Sequence, residues 1–280
     1  MRCTVALCAA GLAVTVWMAA PPAGAQGSGV TGLHRPFDEL LDLNVRDGDV
    51  YYRALKQARG TLDRYVTSLD VTQAEYERWS RDERLAFWLN AYNALVLQSV
   101  IDRYPIRGKA PEYPSDSVRQ IPGAFEKQTH RVAGRVLTLD QIEKEILPEF
   151  ADPRAYLALG RGARGSGRLR SEAFVGDRLE SQVATATAEF LSNPRHVAID
   201  RVSNELRLSA IIGWHDAEFA AAYGNGSDPR FAARSDIERA AVALVMPHLY
   251  PLEREFIERN TFVVRYTEFD WSLNDLTGGR

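Results

Sequence analysis

Cysteine is nearly missing from this chain of 280 residues, and the two it has, Cys3 and Cys8, both lie close to the start. Beyond them no disulfide can form and no thiolate can hold a metal or attack a substrate, so stability has to come from packing. Histidine is thinly spread, at positions His34, His130, His196, His215 and His248. None of these falls in H-E-x-x-H or a comparable ligand spacing, so neither a metal site nor a cofactor is expected. G-x-S-x-G and the phosphate-loop Lys-Ser/Thr are both absent, which removes the sequence support for two large enzyme classes. A formal net charge of −3 gives no electrostatic case for nucleic acid. There is no repeat at a solenoid-like period and, after the first twenty residues, no apolar run of membrane length.

What the N-terminus does have is Arg2, an apolar stretch from Cys3 to Ala20, and Ala23 and Ala25 in a small-x-small arrangement. This predicts a secretory signal peptide over residues 1–25, cleaved after Ala25, and hence a periplasmic or secreted protein with no membrane attachment after cleavage. The stretch is close to bilayer length, so a retained anchor is the alternative. Cys8 follows Leu7 and lies too near the start for a lipoprotein. Residues 26–36 read as a flexible lead-in and 37–280 as one domain, long enough to bury a large core.

Short helices are predicted over Phe37–Leu43 and Tyr51–Leu69. The clearest element follows: Ser80 and Glu83 form a capping box, and apolar residues recur from Leu85 to Ile101 until Tyr104-Pro105 stops the pattern. That is a helix of about 23 residues and about 35 Å. It is apolar almost all round and therefore belongs at the centre of the fold. Residues 105–122 read as a long loop. A hairpin is predicted around Ala133-Gly134, then a helix over Leu139–Leu147 capped by Thr138 and ended by Pro148. A helix over Asp177–Asn193, a second hairpin around Ser203-Asn204, helices over Ser235–Met246 and Leu252–Glu258 and a late strand, Thr261–Tyr266, complete the chain. The fold class is α+β, a helix-rich single domain with small antiparallel sheet elements around a buried central helix.

The most unusual segment is Gly160 to Arg170, with four glycines, four arginines and no acid. Glycines let backbone amides turn inward and arginines add forked donors, so the segment suits a cradle for carboxylate or phosphate. The plainer alternative is a turn whose arginines pair with Asp152, Glu172 or Asp177. Asn90 and Asn93, one turn apart on the central helix with Tyr92 between them, either tie that helix to a loop or orient a ligand. His130 and His215 are the histidines to consider as a base, against the plainer reading of satisfied structural residues.

Taken in order, Phe87-Trp88-Leu89-Asn90-Ala91-Tyr92-Asn93, Leu139-Asp140-Gln141-Ile142-Glu143, Asp152-Pro153-Arg154, Leu169-Arg170-Ser171-Glu172-Ala173-Phe174 and Leu208-Ser209 with Trp214 and Phe219 resemble the domain-of-unknown-function family 547, over a core of about residues 80–220. Many members carry I-E-H where this chain has Ile142-Glu143-Lys144, and a cysteine pair, C-G-x-x-S-C-P, where it has Arg161 and Ser166. The resemblance implies thiol chemistry for such members, which this chain cannot perform. Two readings follow. In one, the site binds a small anionic ligand through Asn90, Tyr92, Asn93, Glu143, Arg161, Arg164, Arg168 and Arg170. In the other, Ser166 is a nucleophile and a desolvated Lys144 its base, giving an amide or ester hydrolase. A non-catalytic envelope protein that binds a protein partner is the third possibility.

Overall fold

Ser80 accepts a hydrogen bond from the Glu83 amide while the Glu83 side chain returns to the Ser80 N–H, and this reciprocal cap starts the helix Arg81–Arg103. Leu85 to Leu97 is buried without interruption, so no face of its middle turns meets solvent. The rest of the molecule, a computed structural model describing residues 29–225 and 228–278, is arranged around this axis. The helices Gly29–Asn44, Tyr52–Gln57 and Gly60–Ser68 pack against it, as do the helix Leu179–Leu191 and the turns Leu147–Phe150 and Gly176–Arg178. The expected signal segment, residues 1–25, lies outside the described residues. Among the described residues no helix is long and apolar enough to cross a membrane.

The lead-in expected over 26–36 is shorter than its Gly-rich composition suggests, since helix begins at Gly29 and runs through Pro36. The reason is tertiary. Val30, His34, Phe37 and Leu41 recur at helical spacing and are buried, with Phe37 stacked on Tyr65 at 4.7 Å and the His34 Nδ1 2.8 Å from the Tyr65 hydroxyl.

Three small sheets lie at the periphery. Val45–Arg46 pairs with Asp49–Val50, and Thr129–Val132 pairs with Arg135–Thr138, both antiparallel. Gly134, at φ 71°, supplies the left-handed conformation that the tight turn of the second hairpin needs. Val197–Asp200 and Glu205–Leu208 form the hairpin expected around Ser203-Asn204, but Val263–Tyr266 adds to it in parallel, so this sheet is mixed. A parallel neighbour needs a long crossover. The helices Ala210–Trp214, Asp216–Tyr223, Asp236–Val245 and Pro251–Glu258 provide it.

Asn90 and Asn93 join helix to loop. Asn90 donates to the Phe174 carbonyl at 2.8 Å and accepts from the Phe174 amide at 2.9 Å, while Asn93 accepts from the Gly160 amide at 2.7 Å. These are structural bonds, and they take both residues out of the ligand-binding set expected from sequence. Asn90→Ala would leave a buried N–H and a buried C=O unpaired, at about 1–3 kcal/mol each. Urea unfolding should therefore show a loss of about 2–6 kcal/mol, and a loss under about 1 kcal/mol would contradict this role.

Candidate functional site

The helix predicted over Leu139–Leu147 starts as expected, with Thr138 and Gln141 in a capping box, but Ile142–Ile146 winds as a π-helix and Leu147–Phe150 as a 3-10 turn. Pro148 does not end the segment because it sits in the first turn of the 3-10 helix, where no partner for its nitrogen is required. Wide π turns shift side chains out of α register and recur at functional sites. This one carries Glu143.

Glu143 is buried and fully engaged. Its Oε1 accepts from Arg161 Nη2 at 2.5 Å and lies 2.9 Å from His215 Nε2, and its Oε2 accepts from the Tyr92 hydroxyl at 2.9 Å. Arg161 is only 2% exposed and directs its second nitrogen to the Tyr156 carbonyl at 3.3 Å. The His215 ring lies flat on Tyr156, with centroids 3.6 Å apart. Burial pushes the Glu143 carboxyl up, but the Arg161 charge and the His215 hydrogen bond pull harder and hold it well below the usual carboxylate range. Burial raises the Tyr92 phenol, and the Glu143 charge adds to it. For Arg161 burial works against the charge, and the facing carboxylate more than restores it.

Glu143, Arg161 and His215 form the floor of a cleft of about 430 Å³, a size ordinary for small-molecule sites, and Tyr92 holds Glu143 without itself lining the cleft. One wall is aromatic. Trp214, 47% exposed, and Trp271 lie 6.2 Å apart at an interplanar angle of 22°, with Phe269 4.9 Å from Trp214 and 4.4 Å from Trp271. Arg119 lies over Trp271 at 4.4 Å and over Phe125 at 4.7 Å, and pairs with Glu126. Asp140, Lys144 and Glu218 line the remainder.

Two expectations from sequence are corrected. Every arginine of the Gly160–Arg170 segment is neutralised from within the chain. Arg161 faces Glu143, Arg164 faces Asp49 at 3.2 Å, Arg168 faces Asp47 at 2.9 Å, and Arg170 faces Glu172 at 2.8 Å and Glu189 at 3.5 Å. Only Arg161 of the four lines the cleft. The glycines serve close packing: Gly162, at φ 65°, lies where a Cβ would press on Val96 and Val100 of the central helix, and a Cβ on Gly167 would overlap the Leu157 carbonyl. An anion cradle thus loses its physical basis.

Nor do Ser166 and Lys144 form a pair. The Ser166 Oγ accepts from the Arg161 amide at 2.9 Å, and the residue lines a separate hollow with Arg164, Arg168 and His196. Lys144 lines the aromatic cleft, is 65% exposed and donates to Asp140 at 2.6 Å, so it is not the desolvated lysine that a base would require. Of the residues singled out by sequence, Tyr92, Glu143, Arg161 and His215 converge. Trp271, Phe125, Arg119 and Glu218 were missed. The Trp214-His215 pair carried a readable signal, whereas Trp271 lies in a segment without a motif.

Glu143→Gln would leave the Arg161 charge buried without its counter-ion, at a cost of about 3–5 kcal/mol near neutral pH. A carboxyl whose folded pKa is depressed stabilises the fold above its ordinary value of 4.5 and loses that contribution as pH falls toward the folded value. Wild type should therefore lose stability below about pH 4.5 more steeply than Glu143→Gln, as read by urea unfolding across pH 7 to 2. A variant within 1 kcal/mol of wild type at pH 7 would contradict the assignment.

No curated protein and no solved structure matches the chain. A family match covers residues 76–191, which hold Tyr92, Glu143 and Arg161 but stop short of Trp214, His215 and Trp271. Residues 76–191 match the family described as protein of unknown function, DUF547.

Proposed function

We propose that this protein binds a small, uncharged, ring-bearing polar molecule, with the chemistry of a saccharide unit, in the cleft between Trp214 and Glu143. The observation that carries the reading is the Trp214–Trp271 wall standing beside a fixed polar floor. A half-exposed aromatic face offers a large apolar surface at little entropic cost, which suits the C–H face of a sugar ring. The cations Arg119, Lys144 and Arg161 already have the acids Glu126, Asp140 and Glu143 as partners, so charge balance favours a ligand without net charge. The paired arginines weigh against an anionic ligand. The geometry around Ser166 and Lys144 offers nothing to the hydrolase reading. A built cleft beside the Gly160–Arg170 segment weighs against a purely structural role.

Tryptophan fluorescence titration with cello-, chito- and malto-oligosaccharides should give saturable quenching in at least one series. Trp271→Ala should weaken that binding at least tenfold. Absence of saturable binding in all three series, or equal affinity in the variant, would sink the reading. The signal-like segment leads us to propose export as well, and N-terminal sequencing of the protein made in its native host should begin at Gln26. A chain still starting at Met1 would argue for retention.

A further inference from the structure

Beyond Glu218 the cleft has a neighbour of opposite character. A hollow of about 220 Å³ is lined by Leu147, Pro148, Ala151, Pro153, Ala221 and Ala222, together with Tyr156, Glu218 and Asp152, whose carboxylate pairs with Arg154 at 2.8 Å. Glu218, Ala221 and Ala222 lie one turn apart on the helix Asp216–Tyr223 and form one side, and the 3-10 turn Leu147–Phe150 contributes to the other. Glu218 borders both spaces, and Tyr156 of the hollow is stacked on His215 of the cleft. The partition is therefore one side chain and one pair of rings.

Three observations say what the hollow holds. Six of its nine lining residues are aliphatic and two of the other three are acids, which does not suit an anionic or hydroxyl-rich group. Its volume exceeds the roughly 150 Å³ that accepts a benzene molecule in an engineered protein cavity, and so accommodates a chain of about four to six carbons. The Tyr156 hydroxyl is buried and makes no hydrogen bond of normal geometry, its interaction with the Glu218 carboxylate being a loose one; burial and then the Glu218 charge raise its pKa. A buried hydroxyl held only by a loose contact is costly, and a polar atom at the junction of a ligand's two parts would relieve that cost.

We infer that the hollow lined by Leu147, Ala151 and Ala222 receives a short acyl or alkyl substituent of the same ligand whose ring lies in the Trp214 cleft, with the linking atom near Tyr156 and Glu218. The identity of the ring rests on the saccharide reading above. Occupancy of the hollow by an aliphatic chain does not.

The test uses three probes on the whole protein, 1-hexanol, methyl β-glucoside and hexyl β-glucoside, followed by amide chemical shifts. Hexanol alone should shift the amides of Ala151, Ala221 and Ala222. Ala222→Trp, which fills the hollow from an exposed helix position, should abolish those shifts, whereas Trp271→Ala should leave them. Each buried methylene is worth about fourfold in affinity, so hexyl glucoside should bind at least tenfold more tightly than methyl glucoside, and Ala222→Trp should remove that advantage. Hexanol shifts without glucoside binding would keep the aliphatic site and reject glucose as the ring. Absence of hexanol shifts at these amides, or equal shifts in Ala222→Trp, would overturn the proposal.

Discussion

The cleft depends on one interaction, the ion pair between Glu143 and Arg161. Taking a carboxylate and a guanidinium out of water costs several kcal/mol for each, and attraction offsets this only when the remaining lone pairs and protons also find partners. Here they largely do, through Tyr92, His215 and the carbonyls of Tyr156 and Leu159. That requirement accounts for local irregularity. A π turn presents Glu143, the helix Arg154–Leu157 stops after one turn and leaves the Tyr156 carbonyl to Arg161, and Gly162 lets the loop carrying Arg161 lie directly on the central helix.

Much of the scaffold was legible because its signals are local. The Ser80–Glu83 cap, the unbroken apolar run behind it and the Ala133-Gly134 turn each specify an element within a few residues. The parallel pairing of Val263–Tyr266 was not legible, since its partner lies more than fifty residues upstream and no short-range pattern distinguishes the two directions. The π turn was hidden for a related reason: Ile142, Ile146 and Leu147 satisfy an α-helical period just as well.

The Gly160–Arg170 segment shows the limit of composition most clearly. Four arginines without an acid suggest a vacancy for an anion, but charge balance is a property of the fold. Asp47, Asp49, Glu143 and Glu189 come from three distant stretches of chain, and of the neighbours considered as partners only Glu172 serves. Asp152 is committed to Arg154 and Glu180 shares that arginine. Conversely His215, one scattered histidine among five, acquires meaning only when the helix Ala210–Trp214 delivers it to Glu143.

The ion pair of the floor and the wall of the cleft come from different parts of the molecule, with His215 of the floor standing beside Trp214 of the wall. Glu143 and Arg161, with Tyr92 bound to Glu143, lie inside the DUF547 match, are buried, and bear on whether the chain folds; His215 lies outside it and is also buried, whereas Trp214 and Trp271 lie outside it and are partly in solvent. Exchanging the two tryptophans should disturb folding little, whereas any change to the floor is felt throughout the core. Recognition can therefore drift while the scaffold stands still, and two proteins sharing this floor need not share a ligand.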